Sequence, residues 1–173
     1  MKMQEPKLDK VTLNVGTGPA REKLQSAKDL LERITGHTAV LTKAKDRNPT
    51  WKLRKGDTIG VKVTLRGKDA ADVLQRSLEA VDYNIPEKSF DRSGNVAFGV
   101  KEYIDFPGMK YDPKIGMMGF DVCVSLAKPG ARIARRRIER KKVPMKQRVK
   151  PDEARAFMEK AFKAQVVSEQ ANE

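Results

Sequence analysis

The chain has 173 residues, of which 39% are hydrophobic, and a formal net charge of +13. Its length and apolar content exclude wholesale disorder and suit one domain of ordinary size. A single cysteine excludes an internal disulfide framework, and one cysteine with one histidine excludes the usual zinc clusters. The excess of cations suits a protein that works against phosphates or an anionic surface more than an enzyme with a neutral substrate.

The N-terminal part of the chain predicts a strand, a helix and a second, short strand. From Val11 to Val15 apolar residues alternate with Thr12 and Asn14, which indicates a strand with one buried face. After a glycine turn, apolar residues with helical spacing predict a helix from about Ala20 to Thr35, capped by Gly36. A short strand follows at Ala39 to Thr42.

The next segment, Ala44 to Arg54, is a long basic loop between two predicted strands and holds the only tryptophan, Trp51. Long loops between neighbouring strands often have a function, and cations beside one aromatic ring suit contact with an RNA backbone and a stacked base. The alternative is that Trp51 packs onto the core and the loop is merely solvated.

The middle of the chain continues the alternation of strands and helices. Apolar spacing predicts strands at Val61–Leu65, Val96–Val100 and Phe120–Leu126, and a helix from Asp69, as N-cap, to Val81. Alternation in every strand is typical of an antiparallel or mixed sheet with one covered face. We therefore predict an α+β fold, with the helices packed on one face of a mostly antiparallel sheet.

The uncovered face of this sheet would present short hydrogen-bonding groups beside two cations. These groups suit the phosphates, 2′-hydroxyls and base edges of a folded RNA, although Thr and Lys are also common on an ordinary solvated sheet. The candidate RNA-binding residues on this face are Thr12, Asn14, Lys62, Thr64 and Arg66.

The segment from Lys128 to Lys150, called the basic extension below, contains one acid, Glu139, and carries +10 of the net charge. Such a block repels itself, so we expect it to be extended and mobile in isolation and to gain order on a polyanion. A solvated helix face would normally interleave acids with the cations. Its basic residues are Lys128, Arg132, Arg135, Arg136, Arg137, Arg140, Lys141, Lys142, Lys146, Arg148 and Lys150.

A final helix is predicted to begin at Pro151, with Asp152 and Glu153 in its first turn, and to extend over residues 151–167. Its apolar residues recur at helical spacing, which indicates a helix docked on a core. No repeat or low-complexity tract interrupts the chain. Residues 1–173 are therefore interpreted as one domain that carries the basic extension.

A nucleotide-binding enzyme is the alternative function. Gly16 and Gly18 lie between a strand and a helix, as in a dinucleotide-binding loop, but Arg21 stands where the third glycine of that motif belongs. His37 and Cys123 have no partner motif for nucleophilic catalysis. We therefore predict no catalytic residues, no metal, no cofactor and no small-molecule substrate.

A protein of the membrane surface is a weaker alternative. Met1 to Pro6 is polar, and no apolar run approaches the roughly 18 residues of a spanning helix, so we expect neither a signal peptide nor a membrane span. A surface-bound helix would place Lys and Arg beside its apolar face, whereas the final segment has Glu153, Glu159 and Glu169 instead. We expect no membrane partner.

Several runs, in order along nearly the whole chain, resemble the ribosomal protein L5 family of the large subunit. The segment after Lys128, with its arginine cluster and final helix, is similar to the archaeal and eukaryotic branch of that family. The matching runs are Lys10–Gly16, Thr42–Lys45, Arg54–Gly56, Ile59–Gly67, Phe98–Glu102, Ile104–Gly108, Tyr111–Pro113 and Gly119–Val122.

This resemblance implies a structural protein, in the cytoplasm, that holds 5S rRNA against the large-subunit rRNA in the central protuberance. It implies further contacts with P-site tRNA and with neighbouring ribosomal proteins, among them a head protein of the small subunit. The 5S-facing positions carried over are Asn14, Thr64 and His37, which stands where the family often has Gln, with Lys62 and Arg66 beside them. Thr12 joins this set from the pattern of the open sheet face. The tRNA-contacting loop carries Lys45, Asp46, Arg47, Asn48, Thr50, Trp51 and Lys52.

Overall fold

A computed structural model describes residues 5–18 and 21–167 of the protein. Its main sheet has five strands, which lie in the order β2-β3-β1-β6-β5 and are all antiparallel to their neighbours. In chain order the elements are β1 (Lys7–Gly16), α1 (Arg21–Thr35), β2 (Val40–Lys43), β3 (Thr58–Leu65), α2 (Gly67–Glu79), β4 (Asn84–Pro86), β5 (Val96–Val100), β6 (Phe120–Ala127), α3 (Pro151–Phe162) and β7 (Gln165–Val167).

The core lies between one face of this sheet and the helices α1 and α2. The apolar residues expected on α1 are all buried, and so are the alternating apolar residues of β1, β3, β5 and β6. The α+β class and the covered sheet face predicted from the alternation are therefore confirmed. Because the helices occupy one face, the polar residues of the same strands are left on the other face.

Helix α2 begins three residues earlier than predicted. Asp69 was expected to cap it, but Arg66 holds the N-cap position and the helix starts at Gly67, whose φ of 67° suits glycine. Asp69 instead lies in the first turn, where its carboxylate meets the ring of His37. No helix among the described residues is long and apolar enough to cross a membrane.

The end of the described chain differs more from the prediction. The final helix does not reach residue 167, because Lys163 adopts a left-handed conformation with φ 56° and ends α3 at Phe162. Residues 165–167 form β7, which pairs in parallel with β4 in a separate two-stranded sheet. Neither of these three-residue strands is predicted by the sequence pattern.

Candidate nucleic-acid interface

Four of the predicted RNA-binding residues form one block on the open face of the sheet. The antiparallel register places Thr12 opposite Thr64 and Asn14 opposite Lys62. Lys62 and Thr64 are exposed, and Thr12 and Asn14 are half-buried. Within the ranges that the structure describes, none of these four side chains forms a hydrogen bond or an ion pair. Their polar groups are thus accessible to a ligand.

Strand β6 extends this block with polar residues that the sequence analysis did not include. Thr12 also lies opposite Cys123, and Asn14 lies opposite Asp121. Burial, and then the Asp121 carboxylate, raises the pKa of the Cys123 thiol, so the thiol is neutral at physiological pH. The alternation of β6 was visible in the sequence, but its pairing with β1 was not. No group of three or more potential metal ligands occurs in the described part of the chain.

Gly60 keeps the β2 end of this face flat. A Cβ atom at this position would lie 2.5 Å from the carbonyl oxygen of Val15 and 3.0 Å from Oγ1 of Thr42. The close approach of neighbouring strands therefore requires glycine here. The open face therefore carries no side chain at this position of β3, next to Lys62 on the same face.

Arg66, the fifth predicted residue, is not free on the sheet face. Its guanidinium donates to Oδ1 of Asp9 at 3.2 Å, and Arg135 of the basic extension binds the same carboxylate. Hydrogen bonding from Arg135, with smaller charge effects of Arg66 and Lys10, lowers the pKa of the Asp9 carboxyl. The structure thus joins residues that the sequence analysis had assigned to two separate groups.

His37 follows the end of α1 at one side of the sheet. Its Nε2 lies 3.1 Å from Oδ2 of Asp69, and both side chains are about half exposed. Three residues later Val40 opens β2 opposite Lys62. His37 therefore lies at the β2 side of the polar block rather than inside it.

The loop between β2 and β3 is an ordered hairpin. The backbones of Asn48 and Leu53 exchange two hydrogen bonds of 3.0 Å, and the tip between them contains Trp51. The Trp51 side chain is 69% exposed, so it does not pack onto the core. Exposed side chains around it are those of Lys45, Asp46, Arg47, Thr50 and Lys52, whereas Asn48 is half-buried and accepts a hydrogen bond from the Thr50 amide.

The basic extension has no long helix or strand and contains two short 3₁₀ turns, Ala131–Ala134 and Met145–Gln147. It is held at both ends, where Lys128 pairs with Glu153 of α3 at 2.7 Å and Val149 is buried beside Gly94. Arg136 pairs with Glu139, and Arg140 donates to the carbonyl oxygen of Ala134. Side chains that are exposed and unpaired within residues 5–18 and 21–167 are those of Arg132, Arg137, Lys141, Lys142, Lys146 and Arg148.

The glycine turn after β1 lacks the geometry of a dinucleotide loop. Such a loop requires a parallel strand–helix–strand unit, but both neighbours of β1 are antiparallel to it. The amides of Thr17 and Gly18, which would face a phosphate in that motif, both donate to the carbonyl oxygen of Ile59 at 3.1 Å. These donors are therefore occupied.

Comparison with known proteins gives matches along almost the entire chain. Residues 2–54 match the family described as Ribosomal protein L5, and residues 58–160 match the family described as the C-terminus of the same ribosomal protein. A large ribosomal subunit protein uL5 from Methanoregula boonei is 46% identical over 164 residues, which are 95% of this chain and 99% of the relative. The uL5 protein of Thermoplasma volcanium is 48% identical over 166 residues, with 95% and 98% of the two chains covered.

Proposed function

Since the chain belongs to the ribosomal protein L5 family, as its matches over both parts of that family show, we propose that it binds 5S rRNA with the open face of its sheet. Membership makes it a structural protein of the large subunit in the cytoplasmic ribosome, and the alternative of a nucleotide-binding enzyme is wrong. The resemblance drawn from the sequence motifs is thus confirmed for the family.

The polar block on the sheet is the observation that carries the 5S proposal. Thr12, Asn14, Lys62 and Thr64 lie together on rigid paired strands, and their side chains are unpaired among the described residues. Hydroxyl and amide groups recognise 2′-hydroxyls and base edges, and the ammonium group of Lys62 contacts a phosphate. A surface of fixed shape favours one folded RNA over others.

The test compares the affinity of the protein for transcribed 5S rRNA with its affinity for tRNA and for a random RNA of equal length. At about 150 mM salt, where nonspecific phosphate contacts are weakened, we expect 5S rRNA to bind about a hundredfold more tightly than either control. Equal affinity for all three RNAs would contradict the proposal, because only the charge of the protein would then contribute.

The basic extension is proposed to anchor 5S rRNA to the large-subunit rRNA in the central protuberance. Its exposed cations contact phosphates without regard to sequence. If it engages roughly six to ten phosphates, affinity should fall about 10³- to 10⁵-fold between 50 and 200 mM salt. Replacing Arg135, Arg136 and Arg137 by alanine should weaken all RNA binding and flatten this dependence. A loss confined to one RNA sequence would contradict a role in phosphate contact.

The hairpin between β2 and β3 is proposed to contact P-site tRNA. Support comes from the exposed Trp51 at its tip and the cations Lys45, Arg47 and Lys52 beside it. An aromatic ring with neighbouring cations suits an exposed base and its phosphates. In the assembled subunit the protein is proposed to contact neighbouring ribosomal proteins as well, including a head protein of the small subunit.

A further inference from the structure

We propose that Asp9 is a positioning residue that holds Arg66 and Arg135 together as a two-arginine clamp for one RNA phosphate. The inference rests on the proposed RNA-binding function and deepens it. One phosphate would thus be shared by Arg66, which follows β3, and by Arg135 of the basic extension, while the acidic Asp9 would assist the binding of an acidic ligand.

Asp9 lies at an irregularity in β1. The ladder with β6 passes from the pair Leu8–Leu126 to the pair Lys10–Ser125, so Asp9 has no partner in it. A bulge of this kind turns a side chain away from its regular direction and recurs beside functional sites. The Asp9 side chain is only 18% exposed, although it carries a charge.

The two arginines approach this carboxylate from different segments. Arg135 binds it through both Nη atoms, with Nη1 at 3.0 Å from Oδ1, and Arg66 donates to the same Oδ1 at 3.2 Å. Nη1 of Arg66 also lies 3.4 Å from the carbonyl oxygen of Asp9. One carboxylate therefore fixes both guanidinium groups, at the place where the extension meets the sheet.

The cluster keeps positive charge and free hydrogen-bond donors. Two guanidiniums outweigh one carboxylate, and Lys10 lies close enough to favour the charged form of Asp9. Each guanidinium has five N–H donors, of which Asp9 uses only some. The side chains of Arg66 and Arg135 are 56% and 54% exposed, so their outer donors face solvent. A phosphate can accept hydrogen bonds from these solvent-facing guanidinium N–H groups.

Asp9 favours phosphate binding because it orders both arginines before the ligand arrives. A free arginine loses much side-chain entropy when it is fixed on a phosphate, and this loss weakens binding. Two arginines already held by a common carboxylate lose less. Simple charge counting predicts the opposite, because removal of an acid from a cationic protein should strengthen its binding to RNA. The two effects thus differ in sign.

The experiment measures the affinity of Asp9→Asn for 5S rRNA and for a random RNA of equal length, with Glu139→Gln as the matched control. Both substitutions remove one negative charge, but the Glu139 side chain is 76% exposed, and among the described residues its carboxylate pairs only with Arg136, at 3.5 Å. Because the clamp binds phosphate, Asp9→Asn should bind both RNAs about fivefold more weakly than the original protein. Glu139→Gln should bind at least as tightly as the original protein. If Asp9→Asn binds as tightly as this control, the inference is wrong.

A second measurement separates positioning from a general effect on folding. In a background where Arg66 and Arg135 are both alanine, Asp9→Asn should cause no further loss of affinity. A loss of the same size in that background would overturn the inference, because Asp9 would then act without the arginines. If the original protein shows no preference for 5S rRNA, only the proposed binding of 5S rRNA is contradicted. The effect of Asp9→Asn on the affinity for the random RNA can still be measured, and it still tests the clamp.

Discussion

At the residue scale, the side chains of the open sheet face differ in how far they reach into solvent. Thr64 is exposed, whereas its cross-strand neighbour Thr12 is half-buried. The Thr64 hydroxyl is therefore the more accessible of the two. Its cross-strand neighbour Thr12 is also short, so an RNA surface can approach the hydroxyl from that side.

Thr64→Val removes this hydroxyl and keeps the β-branched shape of the side chain. If RNA binding buries a hydrogen bond at this position, affinity for 5S rRNA should fall by roughly 1–3 kcal/mol. Thr58→Val is the matched control, because Thr58 lies on the same strand but at its far end. Unchanged 5S affinity of Thr64→Val in a filter-binding titration would show that RNA does not contact this part of the face.

Trp51→Ala tests the tip of the hairpin. Because Trp51 is 69% exposed, the free energy of unfolding should change by less than about 0.5 kcal/mol. Affinity of large subunits carrying the variant for P-site tRNA should fall by about 1–3 kcal/mol, the usual contribution of one stacked base. Tyr111→Ala, which removes an aromatic ring that is 56% exposed outside the hairpin, should leave tRNA affinity unchanged.

The sequence predicts which polar side chains share the open face of the sheet, but it does not predict their contacts with other segments. Alternation in β1 and β3 identified Thr12, Asn14, Lys62 and Thr64, because residues of one parity share a face. Nothing local indicated that Asp9 joins Arg66 to Arg135, since that contact depends on a bulge and on a segment 126 residues away. Alternation along a strand indicates which face a side chain lies on, but it does not indicate where a segment far away in the sequence will pack.

At the element scale, the basic extension depends on its anchors. Val149 is 3% exposed and lies beside Gly94, which has a φ of 71°. Lys128 and Glu153 fix the other end against α3. Between these points the backbone has few regular hydrogen bonds, and the bond of Arg135 to Asp9 adds a third contact that holds the extension in place.

Gly94→Ala should loosen the second anchor. An added Cβ would lie 2.6 Å from Cγ1 of Val149, and a left-handed alanine costs about 1–2 kcal/mol by itself. Gly108→Ala is the matched control, because Gly108 has a φ of 85° but no atom within 4 Å of the new Cβ. In urea unfolding, Gly94→Ala should lose about 1–3 kcal/mol more stability than the control, as overpacking does. Equal losses would show that the Val149 contact contributes little.

Long elements were easier to predict than short ones. Helix α1 and strands β3 and β6 repeat their apolar pattern several times, so the period is clear. Strands β4 and β7 have three residues each, which is too short to show a period, and they pair across about 80 residues. The start of α2 at Gly67 is not predicted by the sequence, because aspartate is a preferred N-cap residue and Asp69 therefore indicates a later start.

At the scale of the whole molecule, three carboxylates join distant segments, and each has a lowered pKa. Hydrogen bonds from Arg135 lower the pKa of Asp9. Hydrogen bonds from the Lys114 amide and from Arg33 lower the pKa of Asp112. Hydrogen bonds from Lys128 and from the Lys150 amide lower the pKa of Glu153. Each carboxylate binds protons less readily in the folded state than in the unfolded state.

Stability should therefore be fully present at neutral pH and should decrease as the pH falls from about 5 to about 2. Urea unfolding at a series of pH values measures this loss. The variant Asp9→Asn, which lacks one of the three groups, should lose less stability over the same range. A free energy of unfolding that is level between pH 7 and pH 3 would contradict the linkage.

Strand β1 precedes every other strand of the described residues and is the middle strand of the main sheet, so during synthesis it leaves the ribosome long before its partner β6. Until residues 120–127 follow, one hydrogen-bonding edge of β1 stays open to other chains. The basic extension emerges only after β6. The nascent chain can therefore complete its five-stranded sheet before the whole of the basic extension, with its +10 charge, has emerged.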